Sequence, residues 1–152
     1  CGNRSVPILG ISSGGGHWVQ LMRLRAGIEE YGVAYATVDR MSQADVPDAP
    51  FYVVPDGNLD TKLRLVPVAL AIRRVLRIVR PKLIVTTGAA PGYFACRLAR
   101  RPSTRTIWID SIANASHLSL SGSRVERFAD AWITQWQEIA GTSGPFYYGN
   151  VL

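Results

Sequence analysis

The chain has 152 residues, 47% of them hydrophobic and 18% charged, a composition that fits one packed domain and excludes both disorder and a tandem of domains. Seventeen Lys and Arg against eleven Asp and Glu leave a formal charge of +6, so an anionic partner or surface is expected. Two cysteines, Cys1 and Cys96, and two histidines supply neither a zinc-type ligand set nor a disulfide framework, and a reduced, intracellular compartment is the simplest reading.

In chain order, Val6 to Ile11 is a short apolar run that reads as a buried strand. The glycine-rich turn Ser12-Ser13-Gly14-Gly15-Gly16 follows, then a helix from His17 to Tyr31 with Val19, Leu21, Met22, Leu24, Ile28 and Tyr31 at helical spacing and Gly32 as its stop. Val33 to Val38 reads as the second strand, Asp45 to Pro50 as a loop, Phe51 to Val54 as a short strand and Asp56-Gly57-Asn58 as a turn. Lys62 to Arg80 predicts a long helix, irregular near Pro67 and stopped by Pro81. Leu83 to Thr86 is a buried strand, Thr87 to Pro91 a turn, Gly92 to Arg100 a helix and Thr106 to Ile109 a strand. A short helix at Arg124 to Asp130 and a strand at Trp132 to Gln135 complete the pattern. Strands alternating with helices predict one α/β domain, a parallel sheet with helices on both faces.

No apolar run reaches the ~18 residues that a membrane-spanning helix needs, and the start lacks the charged-then-apolar pattern of a signal segment. Cys1-Gly2-Asn3-Arg4 fits either a trimmed terminus or a lipidated mature one.

In such a sheet, ligands gather at the carboxyl ends of the strands, here Ser12 to His17, Thr86 to Gly92 and Asp110 to Gly122. Glycines between a strand and a helix let backbone N–H groups approach an anion, and the helix N-terminus adds partial positive charge. Phosphate or pyrophosphate is the natural guest; a tight turn that needs positive φ explains the same residues. Gly10-Ile11-Ser12-Ser13-Gly14 also satisfies the nucleophile-elbow pattern, with His117 as a distant triad candidate. The elbow would follow the first strand here, on a chain too short for the usual hydrolase sheet. Gly10, Gly14 and Gly16, with Asp39 after the second strand, fit a short-chain dehydrogenase pattern that would bind NAD(P), but the Tyr-x-x-x-Lys that accompanies it is absent: Tyr93 is followed at that spacing by Arg97.

His17 stands at a helix entry, where imidazolium is disfavoured and a neutral ring can accept a proton; a ring that caps or packs on the loop is the plainer alternative. His117 sits in a serine-rich loop and reads as solvated, and Cys96 as core. Between Thr61 and Ile109 there are eleven Lys or Arg and no acid. Lys62, Arg64, Arg73, Arg74, Arg77, Arg80 and Lys82 belong to the long helix and its exit, and Arg97, Arg100, Arg101 and Arg105 follow the next. Arg73, Arg77 and Arg80 share a stripe beside Leu63, Val66 and Leu70, which suits an anionic membrane surface, or a solvated face. No aromatic–basic platform suggests nucleic acid.

Taken together, these stretches resemble a family. Ser13-Gly14-Gly15-Gly16-His17 and Thr86-Thr87-Gly88-Ala89-Ala90-Pro91-Gly92 resemble the two glycine loops of the peptidoglycan lipid-intermediate N-acetylglucosaminyltransferases. Ile109-Asp110-Ser111, then Ser119-Leu120-Ser121-Gly122, then Asp130 to Glu138 (DAWITQWQE), are closer still to the Alg-fourteen-like oligosaccharide biosynthesis proteins and their bacterial exopolysaccharide relatives. The resemblance runs nearly end to end. It implies a Rossmann-like sheet like the N-terminal half of a GT-B glycosyltransferase: an acceptor-binding subunit of a hexosyltransferase, inactive without a separate small UDP-sugar-binding, Alg-thirteen-like subunit.

On that reading the acceptor is a polyprenyl-diphosphate-linked saccharide, and no cofactor or metal is implied. Ser13, Gly14, Gly15, Gly16, Thr87 and Gly88 would hold its diphosphate, and His17 would be the base, with Asp110 as alternative base or as its orienting partner. Arg73, Arg74, Arg77 and Arg80 would touch the membrane, and Phe146, Tyr147 and Tyr148, near where single-chain relatives cross into their nucleotide domain, the partner. The eukaryotic members carry an N-terminal anchor that this sequence does not show, which favours the bacterial type held peripherally at the cytoplasmic face unless the terminus is a trimmed one. The other functional readings are a non-catalytic scaffold that enhances a transferase, and an NAD(P)-binding oxidoreductase.

Overall fold

The structure, a computed structural model, describes residues 7–57, 62–99 and 102–150, the side chains at 62–64 excepted. Val6, Asn58, Arg100, Arg101 and the side chains of Lys62, Leu63 and Arg64 therefore lie outside the described residues. Among those described, seven strands form one parallel sheet in the order β3-β2-β1-β4-β5-β6-β7: β1 (Ile8–Ile11), β2 (Val33–Thr37), β3 (Phe51–Val53), β4 (Leu83–Thr86), β5 (Arg105–Ile109), β6 (Ala131–Thr134) and β7 (Phe146–Tyr147). The helices are α1 (Gly16–Arg23), α2 (Lys62–Val79), α3 (Ala89–Leu98) and α4 (Leu120–Val125).

The central strands are apolar throughout because both faces are covered. On one face Leu9, Ile11, Ala34, Ala36 and Ile84 pack against Val68, Ile72 and Val75 of α2 and Ala95 of α3. On the other, Ile8, Val33, Tyr35 and Val85 meet Trp18 and Leu21 of α1. Trp18 fixes α1 on the sheet: its ring meets Tyr35 and Phe51 edge to face, at 5.8 and 6.0 Å between centroids, and its Nε1 donates to Asp45 Oδ2 at 2.7 Å. Tyr93, Cys96, Trp108 and Val125 close the core between α3, β5 and α4, so Cys96 is a core residue as its apolar neighbours suggest.

Coverage is uneven. On the α1 side, Ile107 and Ile109 of β5 and Ala131 and Ile133 of β6 are only half-buried, and Ile109, Ile133 and the exposed Phe146 stand in register across three strands. No described helix on this side spans β6 and β7: α4 packs with α3 on the opposite side.

Three predicted elements need correction. The helix expected over His17 to Tyr31 ends at Arg23, and residues 25–27 and 29–31 form single 3₁₀ turns. Leu24 N bonds Leu21 O in the tighter i→i+3 pattern, and the turns let Arg25 reach both Glu29 (2.6 Å) and the Asp45 carbonyl (2.8 Å). Val19 and Tyr31, placed on the apolar face by spacing, are about half exposed. The third helix begins at Ala89 rather than Gly92, because Pro91 falls in the first turn, where its missing N–H would have had no intrahelical partner. The fourth lies at Leu120–Val125 rather than Arg124 to Asp130, set by the cap on Ser119. A 3₁₀ stretch, Arg40–Asp45, capped by Asp39, leads into the Asp/Pro loop, and β7 joins the sheet where the sequence predicts no strand. The long helix runs through Pro67 as a continuous element.

Candidate functional site

Chain direction across the sheet reverses between β1 and β4. From β1 the chain moves outward through α1 to β2 and β3; from β4 it moves the other way to β5, β6 and β7. The loops leaving the carboxyl ends of β1 and β4 therefore part and leave a crevice between them, the usual ligand position in an open α/β sheet. Both predicted glycine loops sit there, Ser12 to Gly15 after β1 and Thr87-Gly88 after β4.

The two loops are tied by a reciprocal pair of hydrogen bonds. His17 Nδ1 lies 2.8 Å from the Thr87 carbonyl, and the Thr87 hydroxyl donates to the His17 carbonyl at 2.6 Å. A carbonyl only accepts, so Nδ1 carries the proton, and in the neutral ring the lone pair is on Nε2. Gly88, at φ 119°, makes this possible: a Cβ there would come within 3.2 Å of the imidazole. The next residue, Ala89, also has positive φ, 63°, a strained choice for a non-glycine residue at this position. Gly15 likewise has φ 62°. Gly15 and Gly16 are exposed with open space around them, and neither α1 nor α3 has a side-chain cap, so first-turn N–H groups of both helices are left without intrahelical partners. Ser13 is half-buried, and its hydroxyl reaches the Gly14 carbonyl at 3.5 Å.

Beside His17 opens a cavity of about 390 Å³ bordered by Ala89 and Ala90 of α3 and by Ser111, Asn114, Ser119 and Ser121. Among the described residues, its lining contains hydroxyls, an amide and an imidazole, and no Lys or Arg. Under it lies Asp110, 2% exposed. One oxygen accepts from Ser119 Oγ (2.5 Å) and Trp108 Nε1 (3.3 Å), the other from Ser119 N (2.9 Å) and Asn114 Nδ2 (3.2 Å). The roughly four acceptor positions of the carboxylate are thus taken, and no bond joins Asp110 to His17. The orienting partner of His17 is the Thr87 carbonyl. Asp110 instead anchors α4: Ser119 Oγ, held by Asp110, accepts from Gly122 N at 2.8 Å. A Cβ on Gly122 would stand 2.4 Å from Asp110 Oδ1. The spacing of Asp110, Ser119 and Gly122 is explained by this cap.

Sequence reasoning missed the support beneath the cavity. Gln20 and Gln135, both buried, join α1 to the ends of β5 and β6: Gln135 Nε2 donates to Gln20 Oε1 (2.7 Å) and to the Asp110 carbonyl (2.8 Å). The signal that could have found it is a glutamine within the buried face of an amphipathic helix, beside Leu21. Asp130, at the other end of β5, binds Thr106 N (2.8 Å) and the Thr106 hydroxyl (2.9 Å), and so aligns β6 with β5.

The residues of the elbow and dehydrogenase patterns have packing and capping roles. Ser12 is fully buried with its hydroxyl on the Ser13 carbonyl, and His117 is exposed. Gly10 serves packing, since a Cβ would sit 2.9 Å from the Tyr35 ring. Asp39 gives one carboxylate oxygen to Met41 N at 2.9 Å.

Two groups of predicted residues lie away from the crevice. Arg73, Arg74 and Arg77 are exposed on α2 and Arg80 just past its end, beside Val66, Leu70 and Ile78, each more than half exposed. Phe146, Tyr147 and Tyr148 occupy the far edge of the sheet. Among the described residues, no helix is long and apolar enough to cross a membrane, and no group of His, Cys, Asp or Glu is placed to hold a metal ion.

No sequence family and no curated protein matches the chain; the likeness is one of fold. MurG from Acinetobacter baumannii superposes with TM-score 0.74 at 9% identity over 95% of this chain and 45% of that one. A UDP-N-acetylglucosamine 2-epimerase superposes with TM-score 0.68 at 9% identity over 91% and 43%. The Neisseria meningitidis UDP-GlcNAc 2-epimerase, solved bound to UDP-GlcNAc, gives 0.64 at 8% identity over 87% and 41%. The fold is the Rossmann-like α/β half of a GT-B-type structure, and the chain spans less than half the length of these neighbours.

Proposed function

We propose that this chain is the acceptor-binding subunit of a two-component GT-B glycosyltransferase. With a separate small UDP-sugar-binding, Alg-thirteen-like subunit, it transfers a sugar to a polyprenyl-diphosphate-linked saccharide in polysaccharide or lipid-linked oligosaccharide synthesis. The observation that carries the reading is the His17–Thr87 bridge. It holds an imidazole with Nε2 unprotonated in its neutral form, at the sheet reversal, between two uncapped helix N-termini and a hydroxyl-lined cavity. The likeness to MurG and to the epimerase bound to UDP-GlcNAc supports a sugar-nucleotide setting.

In this mechanism, backbone N–H groups of Gly14, Gly15 and Gly16, with Ser13, Thr87 and Gly88 beside them, hold the acceptor diphosphate. His17 Nε2 takes the proton of the acceptor hydroxyl as its oxygen attacks the anomeric carbon of the donor. The new glycosidic bond forms while the bond to UDP breaks, and UDP leaves with the electron pair. The Thr87 carbonyl, accepting from Nδ1–H, steadies the imidazolium that results.

The exposed Arg73, Arg74, Arg77 and Arg80, with Val66 and Leu70 beside them, dock on an anionic membrane surface: guanidinium groups at the headgroups, apolar side chains inward. Phe146, Tyr147 and Tyr148 at the sheet edge, continued by Ile133 and Ile109 on the uncovered face, receive the UDP-sugar-binding subunit. The location is the cytoplasmic face of a bacterial membrane.

The test is reconstitution of the chain, the small protein recovered with it from its membranes, and acceptor in vesicles. Transfer requires both proteins, and Gly15 or His17 variants stop it. If loop variants still supported full transfer, the chain would be a scaffold instead.

A further inference from the structure

Ser111 borders the cavity beside His17 and is only 7% exposed. Its hydroxyl oxygen accepts two N–H groups, Gln20 Nε2 at 3.3 Å and Ala113 N at 3.3 Å. The Gln20 amide cannot be turned around, because its Oε1 accepts from Ile112 N (3.1 Å) and from Gln135 Nε2 (2.7 Å). With both lone pairs engaged, the Ser111 hydroxyl can act further only through its proton. Among the described residues nothing accepts that proton.

Asn114, on the same wall, is fixed in the opposite sense. Its Nδ2 donates to Asp110 Oδ2 at 3.2 Å, and a carboxylate only accepts, so Asn114 Oδ1 remains as an acceptor. Ser111 and Asn114 thus give this wall of the cavity a donor and an acceptor whose polarities are set from behind by Gln20, Gln135 and Asp110. No Lys or Arg is among the described lining residues, and on the wall formed by Ser111 and Asn114 an anion, which only accepts, would leave the Asn114 oxygen without a donor. A neutral polyol satisfies both groups, one oxygen accepting from Ser111 and a hydroxyl or amide proton going to Asn114.

We infer that Ser111 and Asn114 form a sugar-reading subsite, which takes the terminal monosaccharide of the acceptor and selects the hydroxyl presented to His17. The inference rests on the acceptor-binding reading above and adds what neither the glycine loops nor His17 supplies, a choice among sugars. A subsite built to hydrogen-bond a particular hydroxyl rejects analogues lacking it, because its own buried polar groups would then be left unpaired.

The probes are citronellyl diphosphates carrying glucose, galactose or N-acetylglucosamine, with the monodeoxy forms of whichever binds most tightly, titrated calorimetrically into the full chain. One deoxy form should bind wild type about tenfold more weakly than its parent. Ser111→Ala should weaken the parent by the same factor, be indifferent to that deoxy change, and be restored by Ser111→Thr. Asn114→Ala should be indifferent to a different deoxy position, which keeps the test open if Ser111→Ala fails to fold. Wild-type affinity for all probes in folded Ser111→Ala and Asn114→Ala overturns the subsite and leaves the acceptor-binding reading standing. No binding of any of the three probes to wild type overturns both.

Discussion

His17 and Thr87 are joined twice, by the ring Nδ1 on the Thr87 carbonyl and by the Thr87 hydroxyl on the His17 carbonyl. Seventy residues separate them in sequence, and the sheet reversal between β1 and β4 brings them together. The two bonds have separable consequences. His17→Asn offers a side-chain N–H for the Thr87 carbonyl but has no basic nitrogen, so turnover in the reconstituted system should fall by about 10²–10⁴-fold with little change in the unfolding midpoint. Thr87→Val removes the hydroxyl bond and should cost about 1 kcal/mol in urea unfolding.

The glycines divide into positions packed against a neighbour and positions in open space. A Cβ on Gly92 would stand 2.0 Å from Thr86 Oγ1, where α3 crosses β4. Gly92→Ala should therefore destabilise the domain by about 1–3 kcal/mol or more. Gly16 opens α1 with nothing within 4 Å. Gly16→Ala should leave stability unchanged or raise it by up to about 1 kcal/mol, while weakening diphosphate binding. Paired denaturation and binding curves check both statements.

Tyr35 is 2% exposed, and its hydroxyl is buried without a partner among the described residues. Burial raises its pKa above the ordinary value of 10.0, a nearby Arg25 opposing and Glu29 adding to the effect. A raised folded-state value means that the group's contribution to stability is fully present below about pH 10 and is lost as pH climbs through the folded value. Tyr35→Phe should stabilise the protein by about 1 kcal/mol at neutral pH and flatten the fall in stability above pH 10. Unfolding curves between pH 7 and pH 11 distinguish the two proteins.

On α2, Arg73, Arg74 and Arg77 are exposed around Leu70. Near an anionic surface each cation contributes about 1 kcal/mol, so losing all three attractions weakens binding on the order of a hundredfold. Arg73→Glu, Arg74→Glu and Arg77→Glu together should release the protein from phosphatidylserine-containing vesicles in a sedimentation assay and leave its circular dichroism unchanged. Unaltered sedimentation would remove α2 from membrane docking.

The parts of the molecule legible in sequence are those fixed locally. The apolar run ending at Ile11 and the glycines after it place β1, the first turn and the start of α1, and the fold class follows from the alternation of elements. The end of α1 is not legible: Leu24 and Ile28 continue the helical spacing, while the backbone turns at Leu24 so that Arg25 can bind Asp45, twenty residues away. Spacing alone misplaces α4 because its cap is tertiary. Ser119 looks like any loop serine until Asp110, nine residues earlier, is seen to hold it. That same cap occupies the carboxylate of Asp110, whose place at a strand end is what suggests chemistry in the sequence. At two residues, β7 is too short to leave a periodic signal.

The central claim is that this chain presents a lipid-borne acceptor, with His17 as the base, to a donor bound on another polypeptide. The most direct measurement is single-turnover sugar transfer in vesicles containing acceptor, with this chain, its UDP-sugar-binding partner, or both, as wild type and as His17→Asn. Transfer only when both proteins are present, with acceptor binding retained but transfer slowed at least about a hundredfold in His17→Asn, is the predicted result. Full-rate transfer by this chain alone, or an unaltered rate with His17→Asn, would contradict it.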